Sequence, residues 1–356
     1  MMVLHEVRGT AADVPDDGTH IIPAFGAGMC PKLVAQVSSA KRSVRVSALL
    51  ALCDELKKPK RLAECLDLGI INTLNAQISS DSDPITRFRA SKALGVCSLD
   101  ANGCFAMIKA KTASVVSLAL SDDQIGVRRN IYEALIQLST GCTEGASALV
   151  KAKYPALLVT KATTEDNCLQ ALALRLLCNC LNDNAGLEAA LGNSAVETCI
   201  MLLPHSDTSI RCEAARTLAR LCFSEMAKMS AIDGNAVPAL VALLKDPERM
   251  VRAAAVGALM AITTTDQGKI SMVASEPEGR NESISLLVSL LKEGQNDMLA
   301  INTLKCIANV AVHPVAQKEL QETTDCLNLL SRMCVNDDEC IAKHASIAKK
   351  VVMWRP

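Results

Sequence analysis

Hydrophobic and polar positions follow a helical rhythm inside a longer one. In "MVRAAAVGALMAI" (residues 250–262) an apolar anchor, Val251, is followed four residues later by a small residue and eight residues later by a leucine. Offsets of 0, 4, 8 and 11 lie on one face of an α-helix, so these residues face a neighbouring element. The unit recurs eight times, with anchors at Val44, Thr86 (the one polar departure), Val127, Leu169, Ile210, Val251, Leu299 and Ile341. Successive anchors lie 41 or 42 residues apart, except for one interval of 48. The position four residues on reads Ala48, Ala90, Ile131, Ala173, Ala214, Ala255, Thr303 and Ala345, mostly small enough for an adjacent helix to approach closely.

A second apolar helix precedes each of these, as in "PKLVAQV", "ASVVSLAL" and "VPALVALL", and a shorter one often precedes that, as in "RLAECLDLG". "DPITRF" and "DPERMV" place Asp83 and Asp246 as N-caps with proline at the first helical position, and "SDTSIR" offers a further cap. A period near 41 residues with this pattern predicts an all-α, right-handed superhelical solenoid of about eight repeats. Three helices per repeat, with Gly or Asn before the second, resemble the armadillo plan. The arginine after the anchor (Arg45, Arg87, Arg128, Arg211, Arg252) resembles HEAT repeats. The predicted organisation is a flexible N-terminal arm, residues 1–22, followed by a solenoid over residues 23–356. The extra length of the long interval is expected around Ser275–Ser283, in place of a short first helix.

Composition narrows the function classes. Half the residues are apolar but aromatics supply only 2%, which suits tightly stacked helices. A formal net charge of -1 gives no reason to expect nucleic acid or an anionic membrane as partner. The start of the sequence lacks a secretory h-region, and sixteen cysteines without one fit a reducing, intracellular compartment.

Those cysteines include no CxxC pair and no ligand spacing with the five histidines, so neither metal nor cofactor is expected. Cys97, Cys178, Cys180 and Cys306 fall among helix core positions, where a free thiol acts as a small hydrophobe. "SSAK" and "DQGKIS" lack the companion motifs of a serine nucleophile or a phosphate loop, and no enzyme is predicted. Trp354, the only tryptophan, is expected to seal the open end of the core.

What remains is the concave surface. Positions six and ten after each anchor are one turn apart and point into the groove of such an array. They supply the expected partner-binding residues Lys92, Arg175, Asn179, Arg216, Arg220, Lys305 and Asn309. Three arginines on adjacent repeats suit an acidic segment, because guanidinium pairs with carboxylate through two parallel hydrogen bonds. The competing reading is that these arginines solvate the face or pair with neighbours such as Glu133.

Several stretches together resemble one family. "AFGAGMCPKL" leads into "SALLALCDEL", "GALMAITTTDQGK" closes the sixth repeat, and Trp-Arg-Pro follows the last helix. They are similar to the armadillo-repeat radial spoke proteins of cilia and flagella, the radial spoke head fourteen family. The resemblance runs from about Ala24 to Pro356. It implies a non-enzymatic scaffold subunit of the axonemal radial spoke, with a cytoplasmic pool before assembly. Expected partners are other spoke subunits and proteins associated with doublet microtubules. The rival is a cytosolic armadillo adaptor for cargo, vesicle or junction proteins.

Overall fold

The computed structural model describes residues 28–273, 281–293, 298–322 and 324–354, and among them every regular element is a helix. The expected arm at residues 1–22 lies outside them. Two compact units, residues 1–131 and 132–356, are described in turn.

The first unit contains α1 (Met29–Val37), α2 (Arg42–Glu55), α3 (Pro59–Asp67), α4 (Ile70–Ser80), α5 (Pro84–Cys97), α6 (Ala101–Lys109) and α7 (Thr112–Val115). A 3-10 turn (Ser117–Ser121) follows, and α8 (Ile125–Gly141) begins. α5 starts as its sequence dictates. Asp83 accepts a hydrogen bond from the Thr86 amide at 3.0 Å, and Pro84 fills the first turn, where no amide proton is needed. "ASVVSLAL" does not form one helix. It breaks after Val115, where Ser114, Val115, Val116 and Ser117 are poor helix formers and the Ser117 hydroxyl donates to the Ser114 carbonyl.

The second unit continues with α9 (Gly145–Lys151), α10 (Tyr154–Thr164), α11 (Asn167–Cys180), α12 (Asn184–Leu191), α13 (Ala195–Leu202) and α14 (Thr208–Leu221). Next come α15 (Glu225–Asp233), α16 (Ala236–Leu243), α17 (Arg249–Ile262), α18 (Asp266–Val273) and α19 (Glu282–Glu293). The last are α20 (Met298–Val310), α21 (Pro314–Glu322), α22 (Thr324–Met333) and α23 (Glu339–Met353). The third helices of the repeats are α2, α5, α8, α11, α14, α17, α20 and α23, so the predicted all-α repeat architecture and its eight-fold register hold. Each residue four after an anchor is fully buried, and so is the apolar residue eight after it, from Leu52 to Ile307. Burying a leucine contributes about 1.5–3 kcal/mol, and each helix gains it against its neighbours.

Two backbone features set the repeat. Between first and second helices the chain turns through a left-handed residue, at Gly69, Lys111, Lys153, Ser194 and Asn235. Glycine or asparagine is the expected residue there, and three of the five positions carry neither. The first helix then presses on the end of the preceding third helix through a small residue. A Cβ on Gly103, Gly145, Gly186 or Gly268 would collide with the carbonyl oxygen of Cys97, Leu138, Cys180 or Ile262 respectively.

The recurring arginine ties the repeats together. Arg211 donates to the carbonyls of His205 and Ser206 in the turn before its own helix and reaches Asp246 in the next repeat at 2.8 Å. Arg45 repeats this with Ser39, Ala40 and Asp81, and Arg87 with Asp81, Ser82 and Asp122. Arg252 does so with Asp246, Pro247 and Glu293. This corrects the cap assignment at "DPERMV". α17 starts after Glu248, and Asp246 lies upstream, accepting from the Glu248 amide at 2.9 Å and from Arg211. Asp207 does cap α14, through the amides of Ser209 and Ile210.

The long interval also differs from expectation. Its first helix is present as α18, and the extra residues fall between α18 and α19, with 274–280 outside the described residues. Asn281 is buried there, donating to the Val273 carbonyl at 2.9 Å and capping the Ile284 amide. Trp354 does not seal the end, because it is 62% exposed. Gln317 and Gln321 of α21 instead donate to the carbonyls of Val351, Trp354 and Val352, satisfying the last turn of α23.

Candidate partner-binding site

Of the seven residues expected in the groove, six belong to the second unit. Lys92 stands exposed on α5 in the first.

Arg175 on α11 and Arg216 on α14 are brought together by a residue the sequence reading missed. Glu213 is buried, and its Oε1 accepts from Arg175 at 2.8 Å and from Arg216 at 3.0 Å. Its Oε2 is buried with no hydrogen-bond partner among the described residues. The pairing expected of Glu133 therefore falls to Glu213. The signal was present, since Glu213 lies three residues before Arg216 on the same helix, the spacing at which side chains meet. Both arginine side chains remain more than two-fifths exposed; Arg175 spends Nε and Nη2 on Glu213, and Arg216 also reaches the Cys212 sulfur with Nη2 at 3.9 Å.

Arg220, one turn beyond Arg216, has no carboxylate partner among the described residues. Its guanidinium lies 5.0 Å from the centre of the exposed Phe223 ring, a contact worth about 0.5–1 kcal/mol at such a site. Three guanidiniums and one carboxylate leave the strip net positive. Burial pushes the neighbouring Cys178 thiol up to about 11, with Glu213 acting in the same direction against Arg220 and Arg216.

The asparagines are tied to protein. Asn179 donates to Ser139 Oγ at 2.8 Å, and Asn309 to the Met260 carbonyl at 3.0 Å. Each links a third helix to the end of the one before it. Lys305 lies near His344, whose pKa is lowered by burial and then by the Lys305 and Lys343 charges.

Beside Arg216 runs a groove of about 390 Å3 across α14, α17 and α20. Ala253, Ala254 and Gly257 form its floor, and Met250, Met298 and Asn302 stand along it with Arg249. A Cβ on Gly257 would come within 3.2 Å of the Asn302 amide nitrogen, at a position that is a cation in four of the other repeats.

No group of three or more His, Cys, Asp or Glu among the described residues is arranged to hold a metal ion. Burial pushes Cys97, Cys180 and Cys306 up to about 12, so these thiols stay protonated and behave as apolar side chains.

The comparisons with known proteins agree with this architecture. A family model for HEAT repeats matches residues 196–308. An engineered protein of known crystal structure superposes with a TM-score of 0.67 at 20% identity, over 92% of this chain and 90% of its own. A designed armadillo repeat protein, solved in complex with the peptide (KR)4, superposes with a TM-score of 0.60 at 19% identity, over 65% of this chain and 99% of its own. Among curated proteins, radial spoke protein 14 of Chlamydomonas reinhardtii is 30% identical over 223 residues, 59% of this chain. The match spans 57% of that relative's length, and its 59% of this chain is less than the resemblance from about Ala24 to Pro356 expected from the motifs. The chain is thus similar in sequence to radial spoke protein 14, on a fold of armadillo and HEAT repeats.

Proposed function

We propose that this chain is a non-enzymatic scaffold subunit of the axonemal radial spoke in cilia or flagella, and that it binds a neighbouring spoke protein. The observation that carries the reading is the 30% identity to radial spoke protein 14. The repeat fold supports it, because stacked helices offer long faces on which another chain can lie. The test is imaging of the tagged protein, followed by extraction. The expected result is retention in the detergent-extracted axoneme, release by high salt or chaotrope, and defective spokes when the protein is lost. A diffuse cytosolic signal with intact spokes would instead assign the cytosolic adaptor.

We further propose that the positive strip of α11 and α14 takes an acidic segment of that neighbour. The exposed side chains of Arg175 and Arg216 and the unpaired charge of Arg220 support this, since a carboxylate can accept from two guanidiniums at once. The strip must be tested without stripping Glu213 of both arginines. Arg220→Glu combined with Arg216→Gln is expected to keep normal melting and lose co-purification of the neighbour. Undiminished co-purification would make the strip a solvated face.

A further inference from the structure

A second surface, of opposite charge, lies between α13 and α15. Met226, Met229, Ser230 and Asp233 follow one another at spacings of three, one and three residues, which places them on one face of α15. The opposite face is buried through Ala227, Lys228 and Ala231. The outward face is unusually apolar for solvent: Met226 is 77% exposed and Met229 43%. Opposite it, α13 presents Glu197 and, one turn on, the exposed Met201. The Ser230 hydroxyl donates to Glu197 at 2.8 Å and fixes the two helices in register. Gly234 lets α15 end close against Ile200 of α13, since a Cβ there would crowd the Ile200 side chain.

The result is an open cleft of about 630 Å3 with methionines along it and Glu197, Glu225 and Asp233 around it. Glu225 pairs with Lys228 at 2.6 Å, whereas Asp233 has no hydrogen bond or ion pair among the described residues. The cleft therefore keeps a negative rim around a flexible, polarisable apolar surface. Methionine adapts its shape to whatever packs on it, and carboxylates at the rim select cations. Nucleic acid and anionic lipid are repelled by this rim.

We infer that the α13–α15 cleft is a docking site for a basic amphipathic segment of another protein, with aliphatic side chains on Met226 and Met229 and Lys or Arg on Glu197 and Asp233. The site shares no residue with the positive strip and does not depend on the radial spoke reading.

The test uses the full chain and a fluorescein-labelled helical peptide of Leu and Lys, followed by fluorescence anisotropy. The expected result is saturable binding that weakens as salt rises. Met226→Ser with Met229→Ser is expected to weaken binding about tenfold, the loss of two buried apolar contacts. Glu197→Gln with Asp233→Asn is expected to weaken it to a similar degree and to flatten the salt dependence. All four side chains are at the surface, and the carboxamide oxygen that replaces the Glu197 carboxylate can still accept from Ser230. Normal melting is therefore expected of both variants. Unchanged affinity in both variants, or binding that never saturates, would overturn the proposal. So would sedimentation of the wild type as a dimer that the carboxamide variant dissociates, since a second copy would then be the occupant.

Discussion

The Arg211 guanidinium leaves its own repeat and closes on the Asp246 carboxylate, 2.8 Å away in the turn that leads to the next third helix. Both side chains are largely buried, with 14% and 5% exposure, so solvent screens the pair little. A double-mutant cycle between Arg211→Ala and Asp246→Asn is expected to show a coupling of about 1–3 kcal/mol in urea unfolding. The Lys292–Asp325 pair, more than half exposed at both ends, is expected to show no measurable coupling. Equal couplings would mean that the arginine relay adds nothing to the stack.

The same carboxylate gives the acid limb of stability its sign. Burial pushes the Asp246 pKa up, but the Arg211 hydrogen bond, the Glu248 amide and the Arg211 and Arg252 charges outweigh it and hold it below its ordinary value. Asp83 is lowered in the same manner, by Thr86 and Arg42 against burial. A depressed folded pKa means that the unfolded chain binds the proton more readily. The stabilisation is present above the unfolded value, about 3.9, and is lost as pH falls through the folded one. Urea midpoints measured from pH 6 down to pH 3 should fall steeply for the native chain and less steeply for Asp246→Asn.

Glu213 is expected to make Arg175 and Arg216 interdependent. Either one replaced by Gln leaves the buried carboxylate one cation, at modest cost. Both replaced together leave a buried charge without a partner, which costs about 3–5 kcal/mol. Additive single-site losses in thermal or urea unfolding would contradict the shared anchor.

Left-handed Lys111 and Lys153 carry a backbone conformation that suits glycine or asparagine. Lys153→Gly and Lys111→Asn are each expected to raise stability by about 0.5–1 kcal/mol, as a rise in the urea midpoint at constant slope. Gly69→Ala, at φ +77°, should lower it.

Gly145→Ala and Gly186→Ala are expected to cost about 1–3 kcal/mol each, because the added methyl meets backbone that cannot swing away. A chain that tolerated either would have to open the contact between the first helix and the preceding third helix. A change in the slope of the urea transition would report that opening.

The repeat was legible in the sequence because anchors such as Ile210 and Val251 obey a strict helical spacing, and burial at four and eight residues on follows from it. Side-chain traffic between repeats was not legible. Asp246 resembles a helix cap in isolation and becomes an arginine partner only once the repeats are stacked. Glu213 escaped for the same reason. A carboxylate on a helix face reads as a solvated residue until the arginine from thirty-eight positions earlier lies across it. Trp354 misled by type, since the carbonyls that needed cover at that end were met by the glutamines of α21.

The arginine that grips two carbonyls upstream of its own helix gives every repeat that carries it one corner that resists editing. Lengthening the turn before α14 or α17 would pull those carbonyls out of reach and break the bridge to the next repeat as well. The corner between first and second helices carries no such arginine among the described residues, and the additional residues of the long interval lie in sequence between α18 and α19, where Asn281 holds the Val273 carbonyl. New sequence can accumulate on that edge without disturbing the stack, so it is the edge on which relatives sharing this fold can diverge and where a reporter can be inserted.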